Sequence, residues 1–212
     1  IIPLFFCLCA NAAMALEDDT AVADIWLHWG EACREQADFD EAWQKLHQSL
    51  EMYRELENHR GITAVQGNLA RIGLDRAAYD DVLARLDESL TISQTILADE
   101  RVTAELIYMK ARLYHRRDDN QTARVLGQEA LALQEKMNDQ RSLVRTLRLL
   151  AFVAIRLQEY DVAEQLNGRA LALSEQLDDI NELAMSHRAM TQVYWRKNQL
   201  DAARQSAETS LA

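Results

Sequence analysis

The chain has 212 residues with one proline, six glycines and three cysteines, and its 34 acidic against 23 basic side chains give a formal charge of −11. Helix formers dominate and no strand-type alternation of β-branched residues occurs, which excludes a β-rich fold and sets an all-α class. An apolar share of 49% excludes wholesale disorder, and the acidic balance argues against nucleic acid as a partner.

Residues 1–16 read IIPLFFCLCANAAMAL and carry no charge, ahead of the acidic Glu17-Asp18-Asp19. An apolar run closing on Ala10-Asn11-Ala12 and Ala13-Met14-Ala15 resembles the core and cleavage region of a secretory leader. The competing reading is an apolar helix capping the first repeat. A leader implies export, to a bacterial periplasm; a cap implies a cytoplasmic protein. The run is shorter than the ~18 apolar residues a membrane span needs, so membrane anchoring would come from outside the visible chain. No initiator Met or basic segment precedes the run, and the chain ends inside a helix, so it reads as truncated at both ends. Once Cys7 and Cys9 are set aside, Cys33 stands alone and no disulfide framework exists.

From residue 22 to 212 the chain repeats. A turn residue recurs as Phe39, Tyr79, Asn120, Tyr160 and Leu200, and a small residue three places later as Ala42, Val82, Ala123, Ala163 and Ala203. A small-Leu pair follows as Ser49-Leu50, Ser89-Leu90, Ala130-Leu131, Ala170-Leu171 and Ser210-Leu211. Each series steps by 40, 41, 40 and 40, the mark of a helical repeat array. The pattern predicts five helix pairs, A and B: 22–37 with 40–57, 61–77 with 80–97, 101–117 with 120–137, 141–157 with 160–177, and 181–197 with 200–212. Asp38 between A and B, and Asn58, Asp99, Asp139 and Asp179 between units, are expected to cap the helices that follow. Gly30, Ala70, Ala111, Ala151 and Thr191 recur on helix A with the same steps, and set against the small residues of helix B they let two backbones approach closely.

These features resemble the tetratricopeptide repeat, whose helix A carries W-x2-L-G-x2-Y. The first unit has Trp26-x2-Trp29-Gly30-x2-Cys33; later units have Leu69-Ala70, Lys110-Ala111-x2-Tyr114, Leu147-x2-Leu150-Ala151 and Met190-Thr191-x2-Tyr194. The closing proline of the family is missing, and the period is ~40 in place of 34, with the added residues expected in helix B and the connection. The resemblance implies a right-handed superhelical solenoid of antiparallel helix pairs with helix A lining the concave face. Groove positions then fall on Asn68 and Arg71; on Tyr108, Met109, Arg112 and Arg116; on Arg145, Arg148, Leu149, Phe152 and Arg156; and on Arg188, Gln192, Trp195 and Arg196. The carboxylate-clamp positions of some family members hold Leu27, Glu31, Asn68, Glu105 and Met109, of which only Asn68 agrees, so a chaperone-tail clamp is not supported.

Helices A of units two to five carry +1, +4, +4 and +2, or +11 within a chain of −11. Basic charge is thus concentrated where the groove is expected, which favours an acidic or amphipathic peptide, since arginine forks onto carboxylates and stacks on rings. The competing reading pairs these arginines with acids on neighbouring helix B. Replacing Arg112, Arg145 and Arg148 together by Glu is expected to abolish partner capture without altering melting. Asp24, His28, Glu31 and Glu35 share one face of the first helix A, a pattern more often a hydrated surface than a metal site. Trp26 and Trp29 fall at core positions, and Asn120-Gln121-Thr122 forms a glycosylation sequon at a turn.

No phosphate loop, HExxH, CxxC or nucleophile elbow occurs, and nothing calls for a cofactor or metal. The sequence therefore points to a protein-interaction scaffold and not an enzyme. The alternative is the exported sensory region of a longer bacterial signalling enzyme, a nucleotide cyclase or histidine kinase, with a ligand biasing the curvature of the array. The sequence names neither the partner nor the oligomeric state.

Overall fold

The computed structural model describes residues 2–210, with side chains from Phe5 onward. Among the described residues there are α-helices and no strand. After α1 (Ile2–Ala15) come α2 (Asp19–Glu35), α3 (Phe39–Glu55), α4 (His59–Asp75), α5 (Tyr79–Ile92), α6 (Glu100–Arg116), α7 (Asn120–Lys136), α8 (Gln140–Arg156), α9 (Tyr160–Gln176), α10 (Ile180–Arg196) and α11 (Leu200–Thr209). Within each of the chain's compact units, consecutive α-helices pack against one another, as the repeat pattern predicts. The chain divides into two compact units, residues 1–99 and 100–212.

Helices α2, α3, α4, α6, α7, α8, α9 and α10 each have 17 residues, and three-residue connections join them. The long period is therefore shared between A and B helices, and the connections are not lengthened as expected. One physical device makes so short a connection workable. Ala37, at φ 61°, takes the left-handed conformation; its N–H donates to Arg34 O at 3.0 Å and that of Asp38 to Cys33 O at 2.9 Å. This closes α2 in a Schellman motif. The carboxylate of the same Asp38 then accepts the N–H of Glu41 at 3.2 Å and opens α3. The motif recurs at Asp118-Asp119, Asn138-Asp139 and Asp178-Asp179. All ten described left-handed residues are non-glycine, although glycine adopts this conformation at least cost. Asn58, Asp139 and Asp179 cap as expected, whereas Ala78, Glu159 and Gln199 provide no side-chain cap bond.

The single 41-residue step has a local cause. After α5 the chain makes a π-helical turn, Ser93–Leu97, closed by the Ala98 N–H on Ser93 O. One extra residue is taken up by an i→i+5 bond, the usual way a helix absorbs an insertion without changing its outgoing direction.

Small residues work as predicted. A Cβ on Gly30 would lie 2.6 Å from Leu46 Cγ, and Ala42, Ala70, Ala111, Ala123, Ala151 and Ala163 are fully buried. The core of the first unit gathers Leu27, Trp29, Leu46, Leu50, Tyr53 and Leu69, with Trp26 partly buried against it. In the second unit one cluster joins Ala154, Ile155, Met190 and Val193, and another joins Val144, Leu147 and Ala170. Helix α1 lies on α2, its Phe6 ring stacked on Trp29 at 5.9 Å, while Phe5, Leu8 and Leu16 face outward. No described helix is long and apolar enough to cross a membrane.

Candidate partner-binding site

Positions three and four apart share a helical face, and the 40-residue step carries that face from α6 to α8 to α10. Glu105, Arg145 and Met185 therefore occupy equivalent places, as do Tyr108, Arg148 and Arg188, then Arg112, Phe152 and Gln192, and finally Arg116, Arg156 and Arg196. Between the three helices lies a cavity of about 580 Å³. Helix α6 lines it with Tyr108, Arg112, His115 and Arg116, α8 with Arg145, Arg148, Leu149 and Phe152, and α10 with Glu182, Met185 and Gln192.

The arginines fall into two kinds. Arg145 donates to Glu105 at 2.9 Å and lies over the Tyr108 ring, 5.4 Å from its centre. Arg148, only 9% exposed, is ion-paired with Glu182. Both acids belong to A helices, Glu105 to α6 and Glu182 to α10. The competing reading paired such arginines with acids on helix B; for these two the ladder runs instead from A helix to A helix. The Arg112 guanidinium lies 5.9 Å from the centre of the same Tyr108 ring. Among the described residues neither Arg112 nor Arg116 makes a salt bridge. Tyr108 is 7% exposed; burial pushes its phenol up from the ordinary value, against the opposing pull of Arg112 and Arg145. It is therefore a neutral platform at physiological pH.

Of the groove residues predicted from sequence, Tyr108, Arg112, Arg116, Arg145, Arg148 and Phe152 meet in this cavity, with Leu149 and Gln192. Arg156 instead bonds Asp118 at 2.6 Å and lines a smaller cleft of about 270 Å³ with Arg196 and Tyr160. Arg188 is exposed on α10 outside the cavity. Trp195 is 59% exposed and carries the Arg196 guanidinium 4.9 Å from its ring centre. Asn68 and Arg71 belong to the first unit. There Asn68 is buried, its amide donating to Glu31 at 2.9 Å and accepting from Arg71 at 3.3 Å. Met109 turns into the core at 1% exposure and Leu27 is buried too, so neither offers a groove surface. Sequence reasoning missed His115, Glu182 and Met185; the register shared by Glu105, Arg145 and Met185 was the available signal.

Other candidates are engaged locally. On α2, Asp24 accepts the Tyr53 hydroxyl and Glu31 the Asn68 amide. Among the described residues no three His, Cys, Asp or Glu side chains are grouped to hold a metal. The sequon residue Asn120 is buried and bonded to His115 at 2.8 Å and to Asp118 at 2.9 Å, so its amide is not presented at the surface.

No family model matches the chain, and none of the curated proteins matches it. Solved structures do. BtubC (BKLC) from P. vanneervenii aligns with a TM-score of 0.81 at 16% identity, over 98% of this chain and 87% of its own. The TPR-like repeats of a putative kinesin light chain from Podosopora anserina align with 0.69 at 17% identity, over 87% and 91%. A Rap protein complexed with Competence and Sporulation Factor aligns with 0.70 at 16% identity, over 95% of this chain and 62% of that one. The fold is that of the TPR-like helical repeats.

Proposed function

We propose that this chain is a protein-interaction scaffold whose second unit holds an acidic or amphipathic segment of a partner in the cavity between α6, α8 and α10. The observation that carries this reading is the pair Arg112 and Arg116. Two guanidiniums without a salt-bridge partner stand at the edge of a site floored by Tyr108, Leu149 and Phe152. Cations left without an acid in so acidic a chain, beside apolar surface, suit an anion borne on a peptide. The similarity to a Rap protein solved with a bound factor lends support from the fold. Binding, not catalysis, is the function proposed.

The test follows the division of the arginines. Arg112→Glu with Arg116→Glu should abolish enrichment of Asp- and Glu-rich sequences when a random peptide library is panned on the protein, with helicity and melting unchanged. Equal enrichment on the variant would overturn the assignment. Arg145 and Arg148 are unsuited to this test, contrary to the sequence-based expectation, because reversing them breaks ladder contacts that hold α6, α8 and α10 together.

A further inference from the structure

Building on the proposed binding site, we infer that the segment it takes is extended and presents two carboxylates two residues apart, which share one face of an extended chain as Arg112 and Arg116 share one face of α6, followed, about three residues away in either direction, by one apolar side chain. The charge follows from the ladder. Glu105 and Glu182 already neutralise Arg145 and Arg148, so the cavity retains the two positive charges of Arg112 and Arg116. One carboxylate leaves half of that uncompensated in a partly dry site; a pair matches it. The position of the apolar anchor follows from the repeat. Arg112 and Phe152 hold equivalent places one repeat apart, on α6 and α8, and the apolar lining (Leu149, Phe152, Met185) belongs to α8 and α10. Neighbouring packed helices lie about 8–10 Å apart, which an extended chain at ~3.3 Å per residue covers in about three residues.

The experiment uses fluorescein-labelled peptides of Gly and Ser carrying one Glu-Ser-Glu pair and one Leu, separated by one to seven residues in both orders, with affinity read by anisotropy. Affinity should peak at a separation of about three and fall at least tenfold at one and at six or seven. Phe152→Ala, on the A helix next to α6, should erase the advantage of the Leu at that separation and spare the contribution of the Glu pair. Arg112→Gln with Arg116→Gln should remove binding of every peptide. A flat response to spacing, or a peak at six or seven, would overturn the inference and leave the proposed site standing. Absence of binding by all peptides, or binding indifferent to the arginine pair, would overturn both.

Discussion

Arg148 and Arg112 line the same cavity and serve different ends. The guanidinium of Arg148 is buried beside Glu182, whose side chain is 18% exposed; removing one partner leaves a charge without compensation in a poorly solvated place. Glu182→Ala should therefore cost roughly 3 kcal/mol in urea unfolding, whereas Arg112→Ala should stay within about 0.5 kcal/mol of the parent. A second residue-scale expectation concerns Cys33. Burial first, then the charges of Glu41 and Asp38, push its thiol up to about 11, so little thiolate exists at neutral pH. With Cys7 and Cys9 replaced by Ser, iodoacetamide at pH 8 should modify Cys33 only after denaturation; rapid labelling of the native protein would contradict the packing of α2 on α3. At this scale the small core residues were legible because a fixed step repeats them. The salt-bridge ladder was not, because a charge pattern gives a face but not the neighbour across from it.

Among the elements, the hairpin connections carry the most regular chemistry. A left-handed Ala or polar residue is more strained than glycine, and Ala78 is an N-cap without a side-chain bond. Ala77→Gly and Ala78→Asp, at the α4–α5 connection, should each stabilise by about 1 kcal/mol, read as additive rises in melting temperature. The Asp119 cap gives a pH signature. Hydrogen bonds from Thr122 hold its carboxyl below the usual 3.8, so its stabilisation is present above that value and is lost as pH falls through the lower folded one. Asp119→Asn should flatten the acid limb of the stability profile below about pH 4 and leave the neutral region alone. The caps were readable from Asp and Asn beside the turns. The positive φ values were not, since no glycine marks them, and the 41-residue step announced an extra residue without showing that a π turn would hold it.

Across the whole molecule the sign of charge is segregated, with +11 on the later A helices of a chain at −11, and that segregation is legible in the sequence alone. What sequence alone could not do was separate arginines that hold the stack from arginines open to a guest; their difference depends on contacts made across repeats. The cavity lies wholly in residues 100–212, which have their own apolar clusters. That unit expressed alone should keep its helical circular dichroism and bind the Glu-Ser-Glu peptides as tightly as the full chain, with affinity falling as salt rises.

Every connection between the 17-residue helices is three residues long and tied by hydrogen bonds to the helices on both sides. Proteases favour slack loop tips, and this chain presents few, although lysines and arginines are plentiful. A trypsin cut made under native conditions would therefore report the opening of a whole hairpin. Timed digestion with mass mapping would rank the hairpins by how readily each comes undone, with the protein serving as its own strain gauge.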